Sequence, residues 1–193
     1  MAFVGRITRQ KGLPHFLQAI KQIPADSQVV LCAGAPDTPE IEKEVRKLVD
    51  ELSAERSGII WIEEMLPHDQ LVNILSSAHV FVTPSIYEPM GIVNLEAAAM
   101  ELPVVGTATG GIPDCIAEGE TGYLVPIEQL TDGSGTPTNP EKFHRDMAER
   151  ITKLIEDPEL AKKMGKAGRK RVEEKFSWQT VADKTVELYR SLL

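Results

Sequence analysis

Two carboxylates and a helix start are crowded into residues 83–98, Thr-Pro-Ser-Ile-Tyr-Glu-Pro-Met-Gly-Ile-Val-Asn-Leu-Glu-Ala-Ala. The apolar, β-branched run 79–83 leads in and stops at Pro84, the pattern of a short buried strand. From Gly91 onward Ile92, Leu95, Ala98 and Ala99 recur at steps of three and four, the spacing of a helix. Glu88 falls in the turn, and Glu96 follows it by eight residues, in the helix. The backbone N–H groups of residues 90–93 open that helix without intrahelical acceptors, and such a terminus attracts anions. A carboxylate for hydroxyls, amides for a phosphate and a second carboxylate for further hydroxyls would suit a sugar nucleotide. An ordinary strand-to-helix turn with two surface glutamates fits the same residues.

A second cluster opens the chain. Residues 2–5 read as the end of a strand, 6–12 as a loop, and 13–23 as a helix with Phe16, Leu17, Ala19, Ile20 and Ile23 on one face. Gly5, Arg6, Lys11 and Gly12 therefore sit where a strand ends and a helix begins, the crevice in which open α/β sheets bind ligands. Gly5 permits close backbone approach, and Arg6 and Lys11 could neutralise a diphosphate. A solvated basic loop is the plain alternative. Arg9 is read as a surface cation.

The rest of the chain alternates in the same way. Strands are expected at 28–34, 58–62, 102–106 and 123–125, and helices at 39–55, 67–77 and 114–118. Residues 35–39 would cap the helix at 39, and His68 is read as an exposed first-turn residue without chemistry. Gly110 and Gly111, before Pro113, let the backbone turn sharply or pass close to a ligand. Residues 127–140 are polar, rich in Gly, Pro and Thr, and read as a flexible surface loop. Three helices close the chain near 140–156, 158–175 and 177–192, the last opened by Ser177 as N-cap. Six strands alternating with helices give an α/β, Rossmann-like doubly wound parallel sheet with helices on both faces. Residues 1–193 form one domain of this kind.

Composition narrows the partners. With 21 Lys and Arg against 29 Asp and Glu, the net charge is -8, which argues against nucleic-acid binding as the main task. No run approaches a membrane span, and no signal peptide is read at the start. Cys32 and Cys115 are read as buried reduced thiols, consistent with a cytoplasmic protein. No G-x-G-x-x-G follows a strand, which disfavours a dinucleotide redox enzyme.

Glu88-Pro-x-Gly91 with Glu96 resembles the E-x7-E motif of retaining, family 4 glycosyltransferases of the two-domain GT-B fold. Pro89, Leu95 and Ala97 fall in register with it. Gly5-Arg6-x4-Lys11-Gly12 resembles the diphosphate loop of the same family. Segments 3–12, 31–40 and 85–96 are most similar to actinobacterial-type glycogen synthases. The resemblance covers essentially the whole chain and matches only the C-terminal, donor-binding half of such an enzyme. It implies ADP-glucose as donor and a glucan as acceptor. The same group includes synthases that make maltose 1-phosphate from glucose 1-phosphate, and these residues do not separate the two.

By that resemblance Arg6 and Lys11 hold the donor diphosphate, and Glu88 accepts from the sugar hydroxyls. Pro89, Met90, Gly91 and Ile92 line sugar and phosphate, and Glu96 accepts from the ribose. Glu63, Glu64 and Met65 lie beside the base, with plain core as the alternative for Met65. The resemblance implies no metal and no cofactor. The acceptor would come from an N-terminal domain outside this sequence, toward which the 177–192 helix would pack. The isolated domain is expected to bind nucleotide but not to catalyse. Two other classes are considered: an epimerase of nucleotide sugars on the same fold, which the E-x7-E and Gly-Arg-x4-Lys-Gly spacings disfavour, and a non-catalytic module that binds sugar nucleotides, which the sequence leaves open.

Overall fold

The computed structural model describes residues 1–192. Six strands form one parallel sheet in the order β3-β2-β1-β4-β5-β6. They are β1 (Ala2–Arg6), β2 (Val29–Gly34), β3 (Ile59–Ile62), β4 (Phe81–Thr83), β5 (Val104–Thr107) and β6 (Gly122–Val125). Between and after them run α1 (Leu13–Ile20), α2 (Pro39–Glu55), α3 (His68–Ser77), α4 (Ile92–Ala99), α5 (Ile112–Cys115), α6 (Pro140–Glu156), α7 (Pro158–Lys175) and α8 (Trp178–Ser191).

Alternation along the strands divides the core in two. Phe3, Val82, Val105, Tyr123 and Val125 point into the layer shared with α1, α2 and α6. Ala2, Phe81 and Val104 point to the opposite face, toward Leu75 of α3, Ala97 of α4 and Ile112 of α5. A parallel sheet covered on both faces needs such continuously apolar strands, and each large buried side chain contributes about 1.5–3 kcal/mol.

Local chemistry sets the boundaries. Thr38 Oγ1 accepts from the Ile41 amide, with Pro39 in the first turn, so α2 starts where the 35–39 turn was expected to cap it. Ser177 caps α8 through the Thr180 amide at 3.1 Å. Helix α1 stops at Ile20 rather than Ile23, because the Arg56 guanidinium reaches back from the end of α2. It donates to the carbonyls of Ile20, Ile23, Pro24, Ala25 and Ser27, holding residues 20–27 as a turn. Helix α5 covers 112–115 rather than 114–118, since Pro113 is pre-set for a first turn and Thr121 Oγ1 takes the Ala117 amide. The pattern expected in α4 is corrected more sharply. Ile92 is exposed, and the buried face is Asn94, Ala97 and Ala98.

Helix α8 has no buried residue, and Trp178, Leu188, Tyr189 and Leu192 are exposed. Among the described residues, no helix is long and apolar enough to cross a membrane. Cys32 and Cys115 are both free and buried.

Helices α4 and α7 cross at backbone distance. A Cβ on Gly165 would lie 1.8 Å from the Glu101 carbonyl oxygen. Alanine is otherwise the better helix former by about 1 kcal/mol, so the crossing decides the sign. Gly165→Ala is expected to destabilise the chain by about 1–3 kcal/mol in urea unfolding.

The α1–α6 contact carries a histidine pair. His15 Nδ1 lies 2.9 Å from His144 Nε2, and the His15 ring meets Phe143 edge-on at 5.6 Å. One ring must donate and the other accept, so at least one imidazole is neutral. Burial, then His144 and Arg9, push His15 from 6.5 down to about 4. Burial also lowers His144, against the opposing pull of Glu141. As pH falls below 6.5 the unfolded chain takes up the proton that folded His15 refuses. Stability is therefore full above that value and is lost as pH falls toward 4. Between pH 7.5 and pH 5, His15→Leu should remove about 1–2 kcal/mol of the acid-induced loss measured by urea unfolding.

Candidate functional site

Strands β1 and β4 pair only at Ala2 and Phe81, then diverge. The sheet changes direction here, with β2 and β3 on one side and β5 and β6 on the other. At such a switch point the loops leaving the two strands fold away from each other and leave a crevice at the carboxyl ends. The 6–12 loop from β1 and the 84–91 loop from β4 border this crevice.

Glycines let the loops touch. Gly12 has φ +66° and packs so that a Cβ would lie 1.9 Å from the Pro84 carbonyl oxygen. Gly110 presents the same 1.9 Å limit to the Glu88 carbonyl oxygen, and the Gly111 amide donates to that oxygen at 2.8 Å. The Ile86 amide donates to the Gln10 carbonyl at 2.9 Å. Three loops, from β1, β4 and β5, are thus joined by backbone contacts.

Lys11 and Glu88 meet in their midst. Lys11 Nζ donates to Glu88 Oε2 at 2.6 Å, and Ser85 Oγ donates to the same oxygen at 3.3 Å. Glu88 is only 6% exposed, so its charge depends on these donors. Gly91 opens α4 in the left-handed region, and a Cβ on it would stand 3.3 Å from Glu88 Cγ. The first amides of α4, including Ile92 and Val93, therefore begin beside the carboxylate. Ile92 contributes its backbone here and leaves its side chain in solvent. Beneath them Asn94 is buried, accepts from Thr83 Oγ1 and leaves Nδ2 without a partner.

The other expected residues lie on the rim. Arg6 is paired with Asp37 at 2.5 Å and is more than half exposed, so its bond goes to Asp37 rather than into the Lys11–Glu88 pair. Arg6, Gly5 and Met65 line a 170 Å³ cleft with Cys32 and Gly34. Met65 is 80% exposed, which removes the core reading. Its neighbour Glu63 is bound at 2.7 Å by Arg46, whose guanidinium lies 4.9 Å over the Trp61 ring. The hydrogen bond from Arg46 holds Glu63 below the usual carboxylate range. Pro89 sits where the loop passes under Gly111, Met90 is exposed at the mouth, and Glu96 is exposed on α4. Arg9 pairs with Glu44 on the surface, and His68 is exposed in the first turn of α3, both as read.

Cys115 lies below the loop, its Sγ 3.2 Å from the Met90 carbonyl. Burial, then Asp114, push its thiol up to about 11, so it stays protonated and unreactive. Among the described residues, no three His, Cys, Asp or Glu side chains gather where they could hold a metal ion.

Asp37, Ser85 and Asn94 were not singled out by the sequence. Asp37 had a positional signal, since the β2–α2 loop of a doubly wound sheet neighbours the β1 loop.

The pair invites a direct measurement. Lys11→Met should destabilise the chain by about 1–3 kcal/mol, because a nearly buried carboxylate loses its cation while Lys11 itself is partly solvated. Glu88→Gln on that background should recover most of the loss. Additive effects in the urea double-mutant cycle would show the two groups to be uncoupled.

Comparison with known proteins agrees with this geometry. Residues 1–171 match the family described as Glycosyl transferases group 1. The chain is 48% identical over 192 residues to the Alpha-maltose-1-phosphate synthase of Mycolicibacterium smegmatis, covering 100% of this chain and 48% of that protein. It superposes on Sucrose-phosphate synthase from Thermosynechococcus elongatus with a TM-score of 0.78 and 32% identity, over 99% of this chain and 44% of that one. The C-terminal domain of a Glycosyl Transferase Group 1 family protein (LpcC) from Francisella tularensis gives 0.73 at 25% identity, covering 92% of this chain and 85% of that one. This chain spans about half the length of the curated relatives it matches. The sheet and its crevice are those of GT-B glycosyltransferases, and the chain belongs to the glycosyl transferases group 1 family.

Proposed function

We propose that this chain is the donor-binding half of a retaining glucosyltransferase that uses ADP-glucose and builds maltose 1-phosphate on glucose 1-phosphate. The convergence of Lys11, Glu88 and the start of α4 on one crevice carries the donor-site reading. Lys11 and the α4 amides would take the diphosphate, with Arg6 joining once it leaves Asp37. Glu88 would accept from sugar hydroxyls and Glu96 from the ribose. Gly5 and Met65 would border the base in the cleft beyond Arg6.

In this reading the cations stabilise charge on the departing nucleotide, which is electrostatic catalysis without a metal. The leaving phosphate would help to deprotonate the acceptor, and the anomeric configuration would be kept. The relative at 48% identity supports maltose 1-phosphate as product over the glycogen synthase first expected. Glycogen synthase acting on an α-1,4-glucan is the second reading, carried by the segments at 3–12, 31–40 and 85–96. A cytoplasmic location is part of the same proposal.

Two experiments test it. Calorimetric titration with ADP-glucose should give weak binding, lost in the Arg6→Ala, Lys11→Ala double variant; equal affinities would remove both residues from the site. A longer chain that also carries an N-terminal acceptor-binding half should then transfer label from ADP-glucose to glucose 1-phosphate, and lose at least about a hundredfold in rate with Glu88→Ala. Transfer to glycogen alone would establish the second reading. The 193-residue chain should turn over neither acceptor. Turnover near the longer chain's rate would place the acceptor site within it.

A further inference from the structure

Residues 127–140, expected to be a flexible loop, are folded back on themselves. Leu130 donates to the Thr136 carbonyl at 2.9 Å and Thr138 to the Glu128 carbonyl at 2.8 Å. Gln129 and Pro137 form an antiparallel bridge between these contacts. The segment is an irregular hairpin, and its composition alone does not reveal that pairing.

One side chain ties this hairpin to the site. Gln129 Nε2 donates to the Gly135 carbonyl at 2.8 Å and to the Ile86 carbonyl at 2.6 Å. A primary amide has two hydrogens, and here one closes the hairpin while the other holds the β4 loop. Gly135, at φ +71°, lets the returning strand press on both partners. A Cβ there would lie 3.2 Å from Gln129 Nε2 and 3.5 Å from Ile86 Cδ1.

Ile86 stands two residues before Glu88, and its peptide groups are bonded on both sides. Its amide goes to Gln10 in the β1 loop, and its carbonyl goes to Gln129. Glu88 in turn is held through its carbonyl by Gly111. The 86–88 backbone thus hangs from three points. Two belong to loops that border the crevice, and the third comes from a hairpin 43 residues further along the chain.

We infer that Gln129 is a positioning residue for Glu88, and that the 127–137 hairpin acts as a brace for the carboxylate rather than as a free surface loop. The inference rests on the reading of Glu88 as the residue that meets the donor sugar. Ile86 is buried at 6% exposure, so a carbonyl deprived of Gln129 has poor access to water as a substitute. The loop must then shift to recover a donor, and Glu88 shifts with it.

The test uses Gln129→Met, which keeps length without a donor, and Gln129→Glu, which keeps shape but turns an acceptor toward two carbonyls. Leu130→Ala, an exposed position in the same hairpin, is the control. Hydrogen exchange in the ligand-free protein should rise about tenfold in residues 84–91 of both Gln129 variants. Exchange in β2 and α6 should stay unchanged, and Leu130→Ala should resemble the wild type throughout. Titration with ADP and with ADP-glucose should show ADP affinity kept within about twofold, while the added affinity from glucose falls about three- to tenfold. Unchanged exchange at 84–91 would overturn the inference. So would equal losses for ADP and ADP-glucose, since those describe general loosening rather than misplacement of Glu88. If the wild type binds neither nucleotide, the donor-site reading fails, and the exchange result alone decides whether Gln129 braces the loop.

Discussion

The structure depends on β1 and β4 parting after one pair of residues. A parallel sheet whose neighbours stay paired presents no opening, and one that divides offers its loops a shared hollow. The division would leave an empty gap if the loops could not close on it. Glycines at 12, 110 and 111 set the spacing, since a Cβ at 12 or 110 would fall 1.9 Å from a carbonyl oxygen. The closeness of those backbones lets Lys11 reach Glu88 across 77 residues of sequence. The ion pair is a consequence of the sheet's topology before it is a feature of any reaction.

That pair also sets the terms of binding. Glu88 is nearly buried, and Lys11 is its cation. In the proposed donor site, a diphosphate arriving at Lys11 would compete for the same ammonium, and Glu88 would then need other donors. Sugar hydroxyls are such donors. In that reading phosphate and sugar would be mutually dependent ligands, because one without the other would leave a desolvated charge short of a partner. Under the proposed donor reading, a site built in this way would favour the intact sugar nucleotide over either fragment. Asp37 imposes a milder version on Arg6, since that pair is exposed and worth little in water.

The alternation of strands and helices was legible because it depends on local patterns. Short continuous apolar runs, prolines at first turns, Thr38 and Ser177 as caps all act within a few residues. The central motif was legible because Glu88, Gly91 and Glu96 lie on one stretch. Helix α4 shows where local reading stops. Its spacing identified a helix and the buried Ala98, but Ile92 faces solvent and Asn94 faces inward, where it accepts from Thr83 of β4. Asp37 with Arg6, His15 with His144 and Gln129 with Ile86 are separated by 31, 129 and 43 residues. Nothing in the intervening sequence encodes such meetings; they follow from which loops the sheet order brings to one end. The hairpin at 127–137 shows the same limit, since a Gly- and Thr-rich composition describes a turn's freedom and not its partners.

Exposure around the crevice bears on why, in the proposed reading, this chain alone would be a poor catalyst. Tyr87, Met90 and Ile92 are each more than half exposed, and Met65 is 80% exposed. Arg6, too, faces water. Two unit charges about 4 Å apart attract by about 1 kcal/mol in water and about 4 kcal/mol at the effective dielectric near a protein surface. An open crevice would therefore hold a diphosphate at the weak end of that range. Covering the apolar rim would exclude water and strengthen every charge contact beneath it. It would also supply the placement of acceptor against donor that accounts for about 7–11 kcal/mol of a bimolecular barrier. Under the proposed reading, the Glu88 carboxylate, the Lys11 cation and the first α4 amides already stand together at the crevice. A covering surface would make them act at short range in a dry site, and the exposed rim around Lys11 and Glu88 is where such a surface would fit.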